Sequence, residues 1–211
     1  MRVQAAPASA VFHSIVAVAA AGALAGCLLP DTPPPIRYFT PVAQPAPDNN
    51  PKAGGRSPSP RLGPALRVVS VSAAPHLRDR IVWRSEVELG FYEDWRWVAP
   101  PAEVVTVALE RELFEVRGLR QATSGLVPIL DVQVLAFEEV LGSATEARVS
   151  LLLILSDARG GGLLTKTIAA ARPIPSDDPV DLARAIGAAL DEAVKRTAGE
   201  VEQALSAAGS R

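Results

Sequence analysis

The chain has little of what most active sites are built from. Of its 211 residues one is cysteine, Cys27, and two are histidine, His13 and His76. A single cysteine closes no internal disulfide, so the fold must rest on its core. A zinc site usually draws three or four ligands from Cys and His, and that set is not available here. Aromatics make up only 5% of the residues, which leaves the core to Ala, Val and Leu. No charge sign dominates: the formal net charge is −2, which removes the electrostatic case for a nucleic-acid binder. The sequence has no Gly-x-Ser-x-Gly elbow, and His76 reads as a solvated histidine in the loop Pro75-His76-Leu77-Arg78-Asp79, so serine-hydrolase chemistry has no base. Gly160–Thr167 has the length of a phosphate loop, but Thr165 stands where the second glycine must be, and β-prone residues follow. It reads as a hairpin turn. Glu86/Glu88 and Glu138/Glu139 carry no glycosidase pattern and read as solvated strand ends. Nothing here argues for an enzyme.

The amino terminus is better endowed. Arg2 is the only charged side chain before Asp31, with His counted neutral, and Val11–Ala23 is apolar apart from His13 and Ser14. That stretch is short of the ~20 residues a spanning helix needs. A short apolar run after a positive start is the form of a signal peptide. Leu24-Ala25-Gly26-Cys27 then resembles the bacterial lipobox. The resemblance implies cleavage between Gly26 and Cys27, and diacylglycerol plus an N-acyl chain on Cys27. More than one acyl chain gives stable anchoring. An ordinary signal with a chance cysteine is the alternative. Leu28, which is not acidic, leans towards the outer membrane over the inner one, with the domain on the periplasmic face. Residues 28–65 hold 11 of the 19 prolines, a composition that favours extended chain with a reach of roughly 100 Å. The island Ile36-Arg37-Tyr38-Phe39-Thr40 interrupts it as an edge strand or a sticky spot in a linker, and the strand is favoured.

Periodicity organises the rest. Leu66–Val71, Ile81–Arg84 and Glu88–Tyr92 read as strands, with a turn near Ser85–Val87. Pro100-Pro101 open a helix whose stripe is Val105, Ala108, Leu109, Leu113 and Val116, stopped by Gly118. Leu130–Ala136 alternates. Val149–Leu155 is continuously apolar, as expected of a strand covered on both faces, and Leu163–Arg172 follows it. A last helix runs from about Pro179 to Ala208, capped by Asp178, with Leu182, Ile186, Leu190, Val194, Val201 and Leu205 along one stripe. The expected organisation is a signal peptide over 1–26, a proline-rich tether over 27–65 with an early strand at 36–41, and one domain over 66–208.

The one unusual cluster is Phe91-Tyr92-Glu93-Asp94-Trp95-Arg96-Trp97, which holds four of the ten aromatics. A packed corner between strand and helix explains it. A partner interface through Phe91, Tyr92, Trp95, Arg96 and Trp97 is the sharper reading, because Trp, Tyr and Arg anchor interfaces.

Val82-Trp83-Arg84, Phe91-Tyr92, Arg96-Trp97, the proline pair and a helix follow in order after the lipobox and Tyr38-Phe39-Thr40. This succession resembles the ABC-type transport auxiliary lipoprotein family, lipoprotein partners of MCE-type intermembrane lipid transporters. The resemblance spans residues 24–205. It departs at the proline-rich insertion 42–64 and lacks the usual acidic residue before the proline pair. It implies an α/β fold, a mixed and largely antiparallel sheet packed with two main helices in an αβα-type sandwich, as a single domain. It implies no catalytic residue and no cofactor beyond the acyl groups on Cys27. The partners it implies are an MCE-domain conduit protein, an ABC permease and its ATPase, with a ring-forming homo-oligomer as one arrangement. A structural envelope lipoprotein that tethers layers or binds peptidoglycan is the alternative function.

Overall fold

The computed structural model describes residues 34–41 and 63–209. Gly26, Cys27, the whole targeting segment and most of the proline-rich stretch lie outside the described residues. The chain divides into Met1–Pro35 and Ile36–Arg211, and every element below belongs to the second unit.

Eight strands form one sheet. They are β1 (Arg37–Phe39), β2 (Ala65–Ala73), β3 (Arg80–Ser85), β4 (Glu88–Trp97), β5 (Arg120–Gln121), β6 (Ile129–Leu141), β7 (Glu146–Ser156) and β8 (Gly162–Pro173). The hub is β6. One of its edges pairs with β7 along almost its whole length. The other edge is shared: β2 lies parallel to its first half and β3 parallel to its second half. The chain therefore runs up β2, detours through residues 74–79, and resumes as β3 in the same direction. From β3 the sheet continues through antiparallel β4 to parallel β1, and β8 closes the far side antiparallel to β7. The antiparallel ladders are the longer ones, so the sheet is mixed and largely antiparallel as expected.

Two helices pack against it. Helix α1 (Pro101–Glu110) starts with proline in its first turn and continues as a π-helical turn over Arg111–Val116. Helix α2 (Pro179–Gly209) is the long one. Its cap is as expected: the Val180 amide donates to Asp178 Oδ1 at 2.9 Å, which satisfies a free helix-end donor. The expected α2 stripe, Leu182 to Leu205, is buried throughout. It meets Val149, Leu151, Leu153 and Leu155 of β7 and Ile168 of β8 in one continuous core.

The helices lie beside each other on one face of the sheet, so the sandwich has two layers among the described residues. This corrects the reading of β7. Its apolar run is covered on one face only, and Ile154 on the other face is 43% exposed. The run is continuous because β7 is interior to the sheet, between β6 and β8. Interior strands favour β-prone apolar residues even where one face is open. A second correction concerns α1. Val105, Leu109 and Leu113 are buried, but Val116 is exposed and Phe114 is buried instead. The π-helical turn inserts residues into the repeat and rotates the later positions off the stripe. Gly118 ends the segment at φ +73°, a conformation that favours glycine.

Candidate partner interface

The aromatic segment is strand almost throughout, and its irregularity arranges it. Arg80 faces Arg96 and Val82 faces Phe91 across β3 and β4. Five steps along β4 thus span two along β3, a wide bulge over Tyr92–Trp95. In a regular strand, Tyr92 and Trp95 point to opposite faces. The bulge lets their rings stack, with centroids 4.0 Å apart and planes 22° apart. Phe39 of β1 meets Trp95 edge-on at 6.2 Å. Arg96 holds the bulge together: its Nη1 donates to the carbonyls of Tyr92 at 3.2 Å and Trp95 at 2.9 Å. A regular ladder would occupy such carbonyls; here the guanidinium does.

The five expected interface residues separate. Trp97 is core, 1% exposed, with its ring edge-on to Phe137 at 5.4 Å. Tyr92 and Trp95 form a half-buried stack packed against the core. Phe91 and Arg96 belong, by register, with Val82 and Arg80 on the helix-free face. The segment is a buried anchor with flanks on both faces, and its residues do not form one patch. Just before it, Trp83 lies across Gly90: a Cβ built there meets the indole at 2.1 Å. The glycine is what lets the ring lie flat on the neighbouring strand.

The pair Glu138/Glu139 departs from the expectation of solvated strand ends. Strand β6 runs on to Leu141, which puts both in mid-strand, 2% and 7% exposed. Glu138 is held by a two-pronged ion pair: Arg84 Nε donates to Oε1 at 2.8 Å and Nη2 to Oε2 at 3.0 Å. Such forked pairs satisfy a carboxylate's geometry. Glu139 projects to the other face and accepts from the Tyr92 hydroxyl. Burial pushes the Glu139 carboxyl up, the Tyr92 hydroxyl pulls it down, and the negative charge of Asp177 adds to the rise; the balance is upward. Burial also raises the Tyr92 phenol, helped by the Glu139 and Asp177 charges. Ionisable residues of this kind are invisible to periodicity; the position of Glu138 and Glu139 two and three residues beyond the alternating run is the only signal. His76 also differs from expectation. It lies in the 74–79 loop but is half-buried, with Nε2 enclosed and unpartnered.

Sequence reasoning missed a groove. It lies between α1 and α2, encloses about 600 Å³ and is walled by Val104, Val107, Ala108, Leu190 and Val194. Val107 at its lip is 70% exposed. The groove opens because small side chains, Ala108 and Gly187, separate the larger ones there. Among the described residues no group of three His, Cys, Asp or Glu is placed to hold a metal ion, and no helix is long and apolar enough to cross a membrane. The arrangement offers packing surfaces and fixed charges, with its buried carboxylates committed: Glu138 to Arg84, Glu139 to Tyr92 and Glu112 to Arg117.

Comparison with known proteins agrees with the fold. A crystal structure of a protein from Xanthomonas campestris superposes with a TM-score of 0.69 at 24% identity, covering 83% of this chain and all of the other. An uncharacterized protein gives 0.61 at 14% identity, covering 80% of this chain and 99% of its own. A hypothetical protein from Chlamydia trachomatis gives 0.50 at 10% identity, covering 69% and 99%. These show a shared fold. No protein of curated function matches the chain. The model of the ABC-type transport auxiliary lipoprotein component family matches residues 44–198, from within the proline-rich stretch to the middle of α2. The chain belongs to the ABC-type transport auxiliary lipoprotein component family.

Proposed function

We propose that this chain is a non-catalytic lipoprotein, held by acyl groups on Cys27, that docks the periplasmic conduit of an MCE-type intermembrane lipid transporter at a membrane. The observation that carries the reading is the family match over 44–198, which takes in nearly all of the folded region. The family gives the auxiliary role in an ABC-type system. The MCE-domain conduit protein, the permease and its ATPase are the partners proposed here, and the ATPase supplies the energy. Leu24–Cys27 supports the anchor, and Leu28 supports the outer membrane. Within the domain, the Tyr92–Trp95 stack supplies amphipathic aromatic surface of the kind that anchors interfaces.

The test is reconstitution. The full acylated chain in detergent is mixed with the purified conduit, permease and ATPase of its own transport system, and complexes are separated by size. Co-migration with the conduit supports the reading. Retention on purified peptidoglycan, with no association with any transporter component, replaces it with the structural envelope role.

A further inference from the structure

We infer that Arg80 and Arg96, on the helix-free face of the sheet, form the seat for a carboxylate of the docking partner; this rests on the docking role proposed above. The two arginines face each other directly across β3 and β4. Like charges in that position destabilise a sheet, so an opposite charge between them is expected. The chain supplies little of it. The nearest carboxylate is Asp79, with Oδ2 3.8 Å from Arg96 Nε and a side chain 61% exposed. Arg80 has no ion pair among the described residues, and its Nε is enclosed without a hydrogen-bond partner. Arg80 is also held in place: its guanidinium lies 4.7 Å above the Phe91 ring. Stacking of this kind fixes the plane of the fork while leaving its edge for an oxyanion. Arg96 is fixed by its two carbonyl contacts in the bulge.

The surroundings favour a protein as the source of the anion. Tyr38 continues the same cross-strand row from β1 and is 64% exposed. The same sheet continues to β8, where Thr165, Thr167 and Ala169 are exposed. An exposed aromatic beside paired arginines is the combination that anchors protein contacts.

The experiment measures affinity of the purified conduit protein for the full chain in detergent. It compares wild type with Arg80→Gln, Arg80→Lys and a groove variant, Val107→Glu, at low and high salt. Thermal melting checks that each variant is folded. The expected result is a loss of about tenfold or more for Arg80→Gln, partial rescue by Arg80→Lys, and a wild-type affinity that falls with salt more steeply than that of Arg80→Gln. If wild type binds and Arg80→Gln binds equally well, or only Val107→Glu loses binding, the inference fails and the docking role stands. If wild type does not bind the conduit, both fail. Arg80-dependent flotation with phosphatidylglycerol vesicles, without conduit binding, overturns the inference in favour of a headgroup.

Discussion

Glu138 and Glu139 are neighbours with opposite surroundings, and each makes its own prediction. Glu138 is enclosed and neutralised by Arg84, whose side chain is 30% exposed. Removing the arginine leaves a buried charge unpaired, whereas removing both groups leaves an apolar contact. Arg84→Met is therefore expected to lower stability by about 3 kcal/mol, the low end for a buried pair because the arginine side is wet. The double variant Arg84→Met/Glu138→Leu is expected to regain most of that loss in urea unfolding. Glu139 behaves through pH. Its carboxyl is raised in the folded state, so above the ordinary glutamate pKa of about 4.3 the native protein holds a proton that the unfolded chain has released. Its contribution is complete below that value and is lost as pH rises through the folded pKa. The melting temperature of Glu139→Gln, measured from pH 4 to 7, is expected to rise relative to wild type as pH increases. Tyr92→Phe removes the donor that favours the ionised form and is expected to steepen the wild-type trend. Parallel curves for wild type and Glu139→Gln contradict this account.

At the scale of elements, the β3–β4 hairpin shows how closely backbone and side chain are matched. Trp83 lies on Gly90 with no room for a methyl group. Gly90→Ala must lift the indole off β4, at a cost of about 1–3 kcal/mol, seen as a lower melting temperature together with a changed tryptophan emission. Loss of stability with unchanged emission contradicts the close approach. The elements themselves were largely legible. Strand β2, the two strands of this hairpin, helix α1 and helix α2 with its Asp178 cap all follow from period and punctuation. Two of the failures share one cause, local departures from period. The bulge over Tyr92–Trp95 reassigns side chains between faces, and the π-helical turn moves Val116 into solvent. Neither leaves a compositional mark, because each is set by which partner strand or helix the residues meet. The aromatic cluster was visible as a cluster. Its division into core, stack and helix-free face was not, because that depends on the register with β3. The Glu138–Arg84 pair was hidden for a similar reason, since its partners lie 54 residues apart.

At the scale of the whole molecule, the proposed function ties the described domain to Cys27. If Cys27 is the proposed mooring, the chain is expected to incorporate labelled palmitate, and Cys27→Ala is expected to abolish the label, with the domain's melting temperature unchanged. Label that persists in Cys27→Ala contradicts that anchor. The domain itself is assembled around β6, which supports β7 on one edge and both β2 and β3 on the other. That arrangement sets a clock on folding. Val68 pairs with Leu130, so β2 is made long before the strand that completes it. At about 5–20 residues per second, the ribosome needs roughly 3–12 s to cover that separation. During that interval β2, β3 and β4 have a hairpin and an apolar underside, but no sheet to join. A chain that stops before β6 leaves β2 and β3 each with an edge whose native neighbour has not been made.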